Sequence, residues 1–316
     1  MGVRRTAALT SRALGPLVAT GLLTAAYAVR ETRQYTMRRV AVTTLPPGAA
    51  PLRVLHLSDL HLTPRQRRKQ AWLRDLRDLP RDERPDLVVN TGDNLSHRDA
   101  VPHVVDALGP LLDLPGVFVH GSNDYFEPSM RNPFRYLLPD DGRRHVHVPQ
   151  LPWRELSRRF TDAGWLDLTN TAGRLTVGDL VLAFAGVDDP HLEYDDLESV
   201  VPADAAADLR LGVAHAPYLR VLDRFVAQGY DAVVAGHTHG GQVCLPWPGG
   251  GRALVTNCDL DPSRARGLHR HPAGSRPGDA GSAWLHVSAG LGTNPYTQVR
   301  VACRPEATLL TLLPRG

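Results

Sequence analysis

Apolar residues in this chain come in short runs, and several of the runs stop on a polar residue with ligand chemistry. Val54 to Leu57 ends in Ser58-Asp59, Leu87-Val88-Val89 leads into Thr91-Gly92-Asp93, and Val117-Phe118-Val119 precedes a polar turn at Gly121. Such runs predict buried strands that deliver polar groups at their C-terminal ends. Between them the period changes. Trp72, Leu73, Leu76 and Leu79, and then Val101, Val104, Val105 and Leu108, fall at helical spacing. The grammar returns at Leu180–Ala185, at Leu209–Ala214 before His215, and at Ala232-Val233-Val234 before Gly236-His237. Trp284–Val287, Val299–Ala302 and Ala307–Leu312 read as closing strands, and Pro262–Gly281 as a flexible, Gly- and Pro-rich surface insertion. No internal repeat is visible. Alternating strand and helix signals predict an α/β fold with βαβ units.

The N-terminal pattern is different. Ala13–Val29 is uncharged and bounded by Arg12 and Arg30, at the short end of what spans a bilayer. Gly15, Pro16 and Gly21 weaken an ordinary soluble helix, and Ala26-Tyr27-Ala28 resembles a signal-peptidase site. Three readings stand: an uncleaved anchor, a cleaved export signal, and an amphipathic helix packed on a soluble domain. Basic residues flank both ends, so orientation stays open. The expected division is residues 1–30 as signal or membrane anchor, 31–51 as linker, with Thr43–Ala50 the clearest part, and 52–316 as one domain. The expected location is the cell membrane through a single N-terminal anchor, or outside the cell after cleavage.

Composition narrows the classes. The chain has 316 residues, 42% hydrophobic and 22% charged, which excludes wholesale disorder and fibrous repeats. Its net charge of +3 gives no support to a nucleic-acid partner. Lys69 is the sole lysine, the other basic residues being arginine. Cys244, Cys258 and Cys303 are widely spaced and odd in number, which argues against a disulfide framework or a cysteine zinc site.

Five polar clusters follow strand signals: Asp59-Leu60-His61, Gly92-Asp93-Asn94, Gly121-Ser122-Asn123-Asp124, Ala214-His215-Ala216-Pro217, and Gly236-His237-Thr238-His239-Gly240-Gly241. Strand C-termini of open α/β sheets are where side chains of several strands converge on a ligand. Imidazole, carboxylate and amide are the donors that hold borderline metals. Each cluster alone has a plainer meaning, as a helix cap, a turn dipeptide or a solvated loop. Five in series change the balance.

The series resembles the calcineurin-like metallophosphoesterases, whose pattern is D-x-H, G-D, G-N-H-[DE], H and G-H-x-H. More narrowly it is similar to a membrane-associated bacterial branch of phosphodiesterases and UDP-diacylglucosamine pyrophosphatases. Ser58–Leu62, Gly121–Phe126, Asn132–Pro139, Ala214–Pro217 and the Gly236–Gln242 segment running into Leu245-Pro246 carry that likeness. The resemblance covers roughly Leu52 to Leu313 and implies a four-layer αββα sandwich behind the N-terminal hydrophobic segment. It implies two divalent or trivalent ions, with manganese, iron, zinc or cobalt all acceptable to such donors. Asp59, His61 and His239 would hold one ion, His215 and His237 the other, and Asp93 would bridge. Two ions so held lower the pKa of a shared water and clamp phosphoryl oxygens.

One position departs from the pattern. Gly121-Ser122-Asn123-Asp124 stands where the family has Gly-Asn-His-Asp. A gapless match puts Ser122 at the ligand position and Asn123 at the histidine; a one-residue bulge makes Asn123 the ligand and brings Asp124 near the leaving group. The second is preferred, because an amide oxygen reaches further than a neutral hydroxyl and binds better. It makes Asn123 and Asp124 the candidate catalytic residues. The resemblance implies a metal-dependent phosphoric ester hydrolase acting on a phosphodiester, pyrophosphate or phosphomonoester, with an amphiphilic, lipid-linked substrate favoured by an anchor. The alternative is a metal-binding pseudoenzyme serving as a membrane-tethered binding module.

Overall fold

The computed structural model describes residues 21–130, 144, 146–248 and 250–316. Helix α1 covers 21–31, and residues 13–20 of the uncharged N-terminal span, like Asn132–Pro139, lie outside the described residues. Among the described residues no helix is long and apolar enough to cross a membrane.

The strands are β1 (Thr36–Leu45), β2 (Leu52–Leu57), β3 (Leu87–Asn90), β4 (Gly116–Phe118), β5 (Leu166–Asp167), β6 (Thr171–Val177), β7 (Leu180–Gly186), β8 (Leu209–Val213) and β9 (Ala232–Ala235). They continue with β10 (Cys244–Leu245), β11 (Arg252–Ala253), β12 (Gly267–His271), β13 (Ala283–Val287) and β14 (Glu306–Pro314). One six-stranded sheet has the order β1-β14-β2-β3-β4-β5 and the other β12-β13-β9-β8-β7-β6, while β10 and β11 pair alone. Each sheet has a parallel centre: β2, β3, β4 and β5 in the first, and β7, β8, β9 and β13 in the second. Further helices are α2 (Arg67–Asp75), α3 (Val101–Leu108), the single turn α4 (Ser122–Tyr125), α5 (Trp153–Asp162) and α6 (Leu219–Ala227).

Alternation along each strand decides the layering, because successive side chains face opposite sides. In β2, Leu52 and Val54 join Leu182, Phe184, Leu211 and Val234 of the other sheet in a core between the sheets. Leu55 and Leu57 point the other way, to Leu73, Val104 and Phe160 of α2, α3 and α5. On the far side Val233, Leu285 and Val287 pack on Val221, Leu222 and Phe225 of α6. The result is four layers, helix–sheet–sheet–helix.

Three sequence expectations change here. The segment read as linker contains β1, a ten-residue strand parallel to β14, with Leu45 fully buried and Arg38 paired to Glu306 at 2.8 Å. A chain begun at Leu52 would lack this strand and expose the β14 edge. The insertion Pro262–Gly281 includes β12, which pairs antiparallel with β13. Val299–Ala302 is not a strand but a loop with one bridge, Val301 to Val243.

His56 and His286 meet between the sheets, Nδ1 to Nδ1 at 2.9 Å, and His56 Nε2 lies 3.0 Å from Thr91 Oγ1. Burial pushes His56 down to about 3 and, with its neighbour His56, holds His286 well below the ordinary imidazole value. A neutral imidazole of this kind contributes stability that is complete above the unfolded value and is lost as pH falls toward the folded one. Each such group costs about 1.4 kcal/mol per pH unit in that window. Urea unfolding of the wild type is therefore expected to weaken more steeply below about pH 6.5 than that of the His56→Leu/His286→Leu double variant. Equal slopes would show that the folded pair takes up protons as readily as the unfolded chain does.

Candidate metal centre

Every predicted ligand cluster follows a strand of a parallel centre, so the clusters gather at one edge of the sandwich. The loops are fastened to each other before any side chain is considered. Asp59 N donates to Gly92 O at 2.9 Å, His61 N to Asp93 O at 2.9 Å, and Gly236 N to His215 O at 2.8 Å. Asp59, His61, Asp93, His237 and His239 all adopt left-handed backbone, with φ between 42° and 68°. Non-glycine residues held there cost on the order of 1–3 kcal/mol each and mark sites where geometry outranks local comfort.

Ligand atoms of Asp59, His61, Asp93 and His239 lie within 4.8 Å of one another. His61 Nε2 is 3.2 Å from His239 Nε2 and 3.4 Å from Asp93 Oδ2, and His239 Nε2 is 3.5 Å from Asp59 Oδ1. The second set shares Asp93. His215 Nε2 is 3.6 Å from Asp93 Oδ2 and 3.3 Å from His237 Nδ1, and the Asn123 side-chain amide reaches Asp93 Oδ2 at 2.7 Å. Asp93 Oδ2 thus stands between both groups of donors.

The outward nitrogens are spoken for, which fixes the inward ones. His61 Nδ1 meets Ser96 Oγ at 3.1 Å, His239 Nδ1 donates to Gly292 O at 3.1 Å, and His215 Nδ1 donates to Thr91 O at 2.7 Å. Each Nε2 is left facing the cluster, the arrangement by which outer partners orient metal-binding imidazoles. His237 is turned the other way, its Nε2 donating to Asn257 O at 3.2 Å while Nδ1 faces His215. Room is made by glycine: a Cβ on Gly290 would come within 2.6 Å of Asp59 Cβ, and one on Gly121 would strike the Asp93 carboxylate.

Burial raises Asp59, and burial, reinforced by Asp59 and Asp124 against His215, raises Asp93 to about 6. Burial holds His61 and His239 well below the ordinary imidazole value, with Lys69 adding at His61 and His61 adding at His239. Burial also works against charge on His215, yet the carboxylates of Asp93, Asp189 and Asp59 carry it up to about 9. Buried carboxylates beside the neutral imidazoles of His61 and His239 form a donor set that fits divalent cations, whose binding displaces protons, that of His215 among them.

Asn123 and Ser122 both line the cleft, but only Asn123 touches the bridging carboxylate, through its backbone N–H to Oδ1 at 2.7 Å and its amide to Oδ2. The amide's two ends are interchangeable by a half-turn, which would bring its oxygen to the same place. Asn123→Ala is expected to lower metal content while Ser122→Ala retains it, measured by plasma mass spectrometry. The reverse result would favour the gapless match.

Asp124 differs from its expected place near the leaving group. It is fully buried, and its carboxylate accepts from the backbone N–H groups of Asp93 and Asn94 at 2.8 Å, Gly121 at 3.1 Å and Leu95 at 3.2 Å. It organises the Asp93 loop from behind and does not line the cleft.

Two further contributors escaped the sequence reading. Arg300 is fully buried, its guanidinium donating to the carbonyls of Ala289 at 2.7 Å, Gly292 at 2.8 Å and Gly290 at 3.1 Å, which holds that turn against Asp59 and His239. Nothing in the sequence around Arg300 signals this. His191 lines the cleft with its ring centroid 4.6 Å from that of His237, and its Nδ1 is 3.1 Å from Tyr218 Oη. Here a signal existed: Asp188-Asp189-Pro190-His191 follows the β7 apolar run just as the other clusters follow theirs.

Comparison with known proteins agrees with this geometry. The chain is 26% identical over 266 residues to the Bacillus subtilis metallophosphoesterase YkoQ, covering 83% of this chain and 84% of YkoQ. It is 26% identical over 270 residues to the Escherichia coli phosphodiesterase YaeI, covering 84% of each chain. A shorter match, 34% identical over 85 residues, covers 26% of this chain and 23% of the Chlamydia trachomatis UDP-2,3-diacylglucosamine pyrophosphatase LpxG. Residues 52–241, which hold every candidate ligand, match the calcineurin-like phosphoesterase model, and the chain belongs to that family of metal-dependent phosphoric ester hydrolases.

Proposed function

We propose that this enzyme hydrolyses phosphodiester or pyrophosphate bonds at two cations, one held by Asp59, His61 and His239, the other by His215, His237 and Asn123, with Asp93 shared. The observation that carries the reading is the position of Asp93 Oδ2, 3.4 Å from His61 Nε2 and 3.6 Å from His215 Nε2. Bound there, two cations supply an activated water and charge compensation for the phosphoryl group. The protein contributes the fixed orientation of the imidazoles and a Ser122–Asn123 wall to the cleft. With Asp124 turned to the backbone, the Gly121–Asp124 turn presents no acid to the leaving group. Proton donation of that kind is worth about 10²–10⁴-fold, so aryl diesters and pyrophosphates are the better substrates and alkyl monoesters the poorest.

A lipid-linked substrate and a membrane location form the finer part of the proposal. Their support is the similarity to LpxG and the exposure of Leu22, Leu23 and Val29 on α1. The test is a screen of the purified full chain, supplemented in turn with manganese, iron, zinc and cobalt. The panel is bis(p-nitrophenyl) phosphate, p-nitrophenyl phosphate, an alkyl monoester and a nucleotide-diphospho-lipid. Metal-dependent hydrolysis of the diesters, with the alkyl monoester slowest, is expected. Equal rates on alkyl and aryl esters, with chemistry rate-limiting, would show that another acid serves the site.

A further inference from the structure

Beside the metal centre lies a second concavity that the hydrolytic chemistry does not use. It is a groove of about 720 Å³ between the end of α1, the start of α2 and the Leu291–Gln298 loop, a size in the range of ligand sites. Its cationic wall is Arg33, Arg65, Arg67 and Arg68, all exposed, with Lys69 buried behind them and donating to Leu60 O. Among the described residues none of these four arginines has a carboxylate within 4.0 Å, whereas Arg38, Arg53, Arg74, Arg210 and Arg220 elsewhere each do. The one acid lining the groove, Asp99, lies 3.6 Å from His97.

The placement runs against the helix's own field. Arg67, Arg68 and Lys69 open α2, which has no acidic residue in its first turn and no side-chain cap. Cations at a helix N-terminus cost about 0.3–1 kcal/mol each, while anions there are favoured. Four unpaired guanidiniums and a helix N-terminus converging on one ligand-sized groove call for an anion with several oxygens, which is how arginine recognises phosphate.

The groove adjoins the metal centre. Ser96 and Gly292 line it, and these two residues hold His61 and His239 at 3.1 Å each. The Leu291–Gln298 loop also sends Asn294 into the metal cleft. A molecule lying across this loop would have one phosphate at Asp93 and another among the arginines.

We propose that this groove is a subsite for a phosphate group of the substrate remote from the bond that is cut, so that the favoured diesters carry a second phosphate. The proposal rests on the hydrolytic reading above, and its test separates the two. In the metal-loaded full chain, thymidine 5′-(p-nitrophenyl phosphate) is compared with its 3′-phosphorylated form, which has the same leaving group. The added phosphate should lower KM about tenfold, a charge-assisted contact or two. The Arg67→Ser/Arg68→Ser variant should lose that advantage and keep the kcat of the simpler ester. Independently, the metal-free full chain is titrated calorimetrically with inorganic tripolyphosphate. Salt-sensitive binding is expected, weakened at least about tenfold in the double variant and unchanged in Arg74→Ser, further along α2. If no diester is cut, the hydrolytic reading fails while the titration still decides the subsite. Equal KM for the two esters in the wild type, or tripolyphosphate affinity unaltered in the double variant, would overturn the proposal. So would a double variant that loses only its attachment to phosphatidylglycerol vesicles, which would assign the groove to a lipid headgroup.

Discussion

Asp93→Asn is expected to reduce turnover by more than about 100-fold, beyond what loss of an outer partner of a metal ligand costs, and to release at least one ion. The reason is geometric. One carboxylate oxygen faces donors of both sets, at 3.4 Å from His61 Nε2 and 3.6 Å from His215 Nε2, and no other side chain in the cluster does so. The amide replacement keeps the shape and can still accept from the Asn123 backbone N–H, so the fold should survive while the shared negative charge disappears. Metal analysis beside kinetics checks this. A loss of tenfold or less, about the mild end for an outer partner, would move Asp93 out of contact with the ions.

Asp124→Ala is the second large effect, and it should appear first in stability. Removing the carboxylate orphans the buried backbone N–H groups of Asp93, Asn94, Leu95 and Gly121 together. Each buried donor left without a partner costs about 1–3 kcal/mol. Even with partial relaxation the sum is about 4 kcal/mol or more, a fall in melting temperature on the order of 10 °C for a chain of this size. The Asp93 loop would lose its register at the same time, so activity falls on all substrates alike. Calorimetry with a leaving-group series reads both. An unchanged melting temperature with loss confined to poor leaving groups would make Asp124 the proton donor after all.

Much of this site was legible because buried parallel strands announce themselves. Val54 and Leu55, Val88 and Val89, and Val233 and Val234 are apolar on both faces of their sheets, and the polar residue that ends each run necessarily lies at the sheet edge. What stayed hidden depends on distance along the chain. β1 is half-exposed and pairs only with β14, with Arg38 and Glu306 separated by 268 residues. Nothing local distinguishes such a strand from a linker, least of all one followed by Pro46-Pro47-Gly48. Arg300 was invisible for the same reason, since its partners are carbonyls of a turn that sequence cannot orient. Asp124 was misplaced because a carboxylate beside a catalytic cluster reads as chemistry, while its four backbone donors exist only once the Asp93 loop is folded around it.

Two ions that share Asp93 would be magnetically coupled. The most direct measurement is the manganese content of the reconstituted full chain, together with its electron paramagnetic resonance spectrum. Two ions per chain are expected, with the signature of an exchange-coupled pair that Asp93→Asn abolishes. One ion per chain, or two whose spectra are those of isolated ions, would contradict the sharing of Asp93.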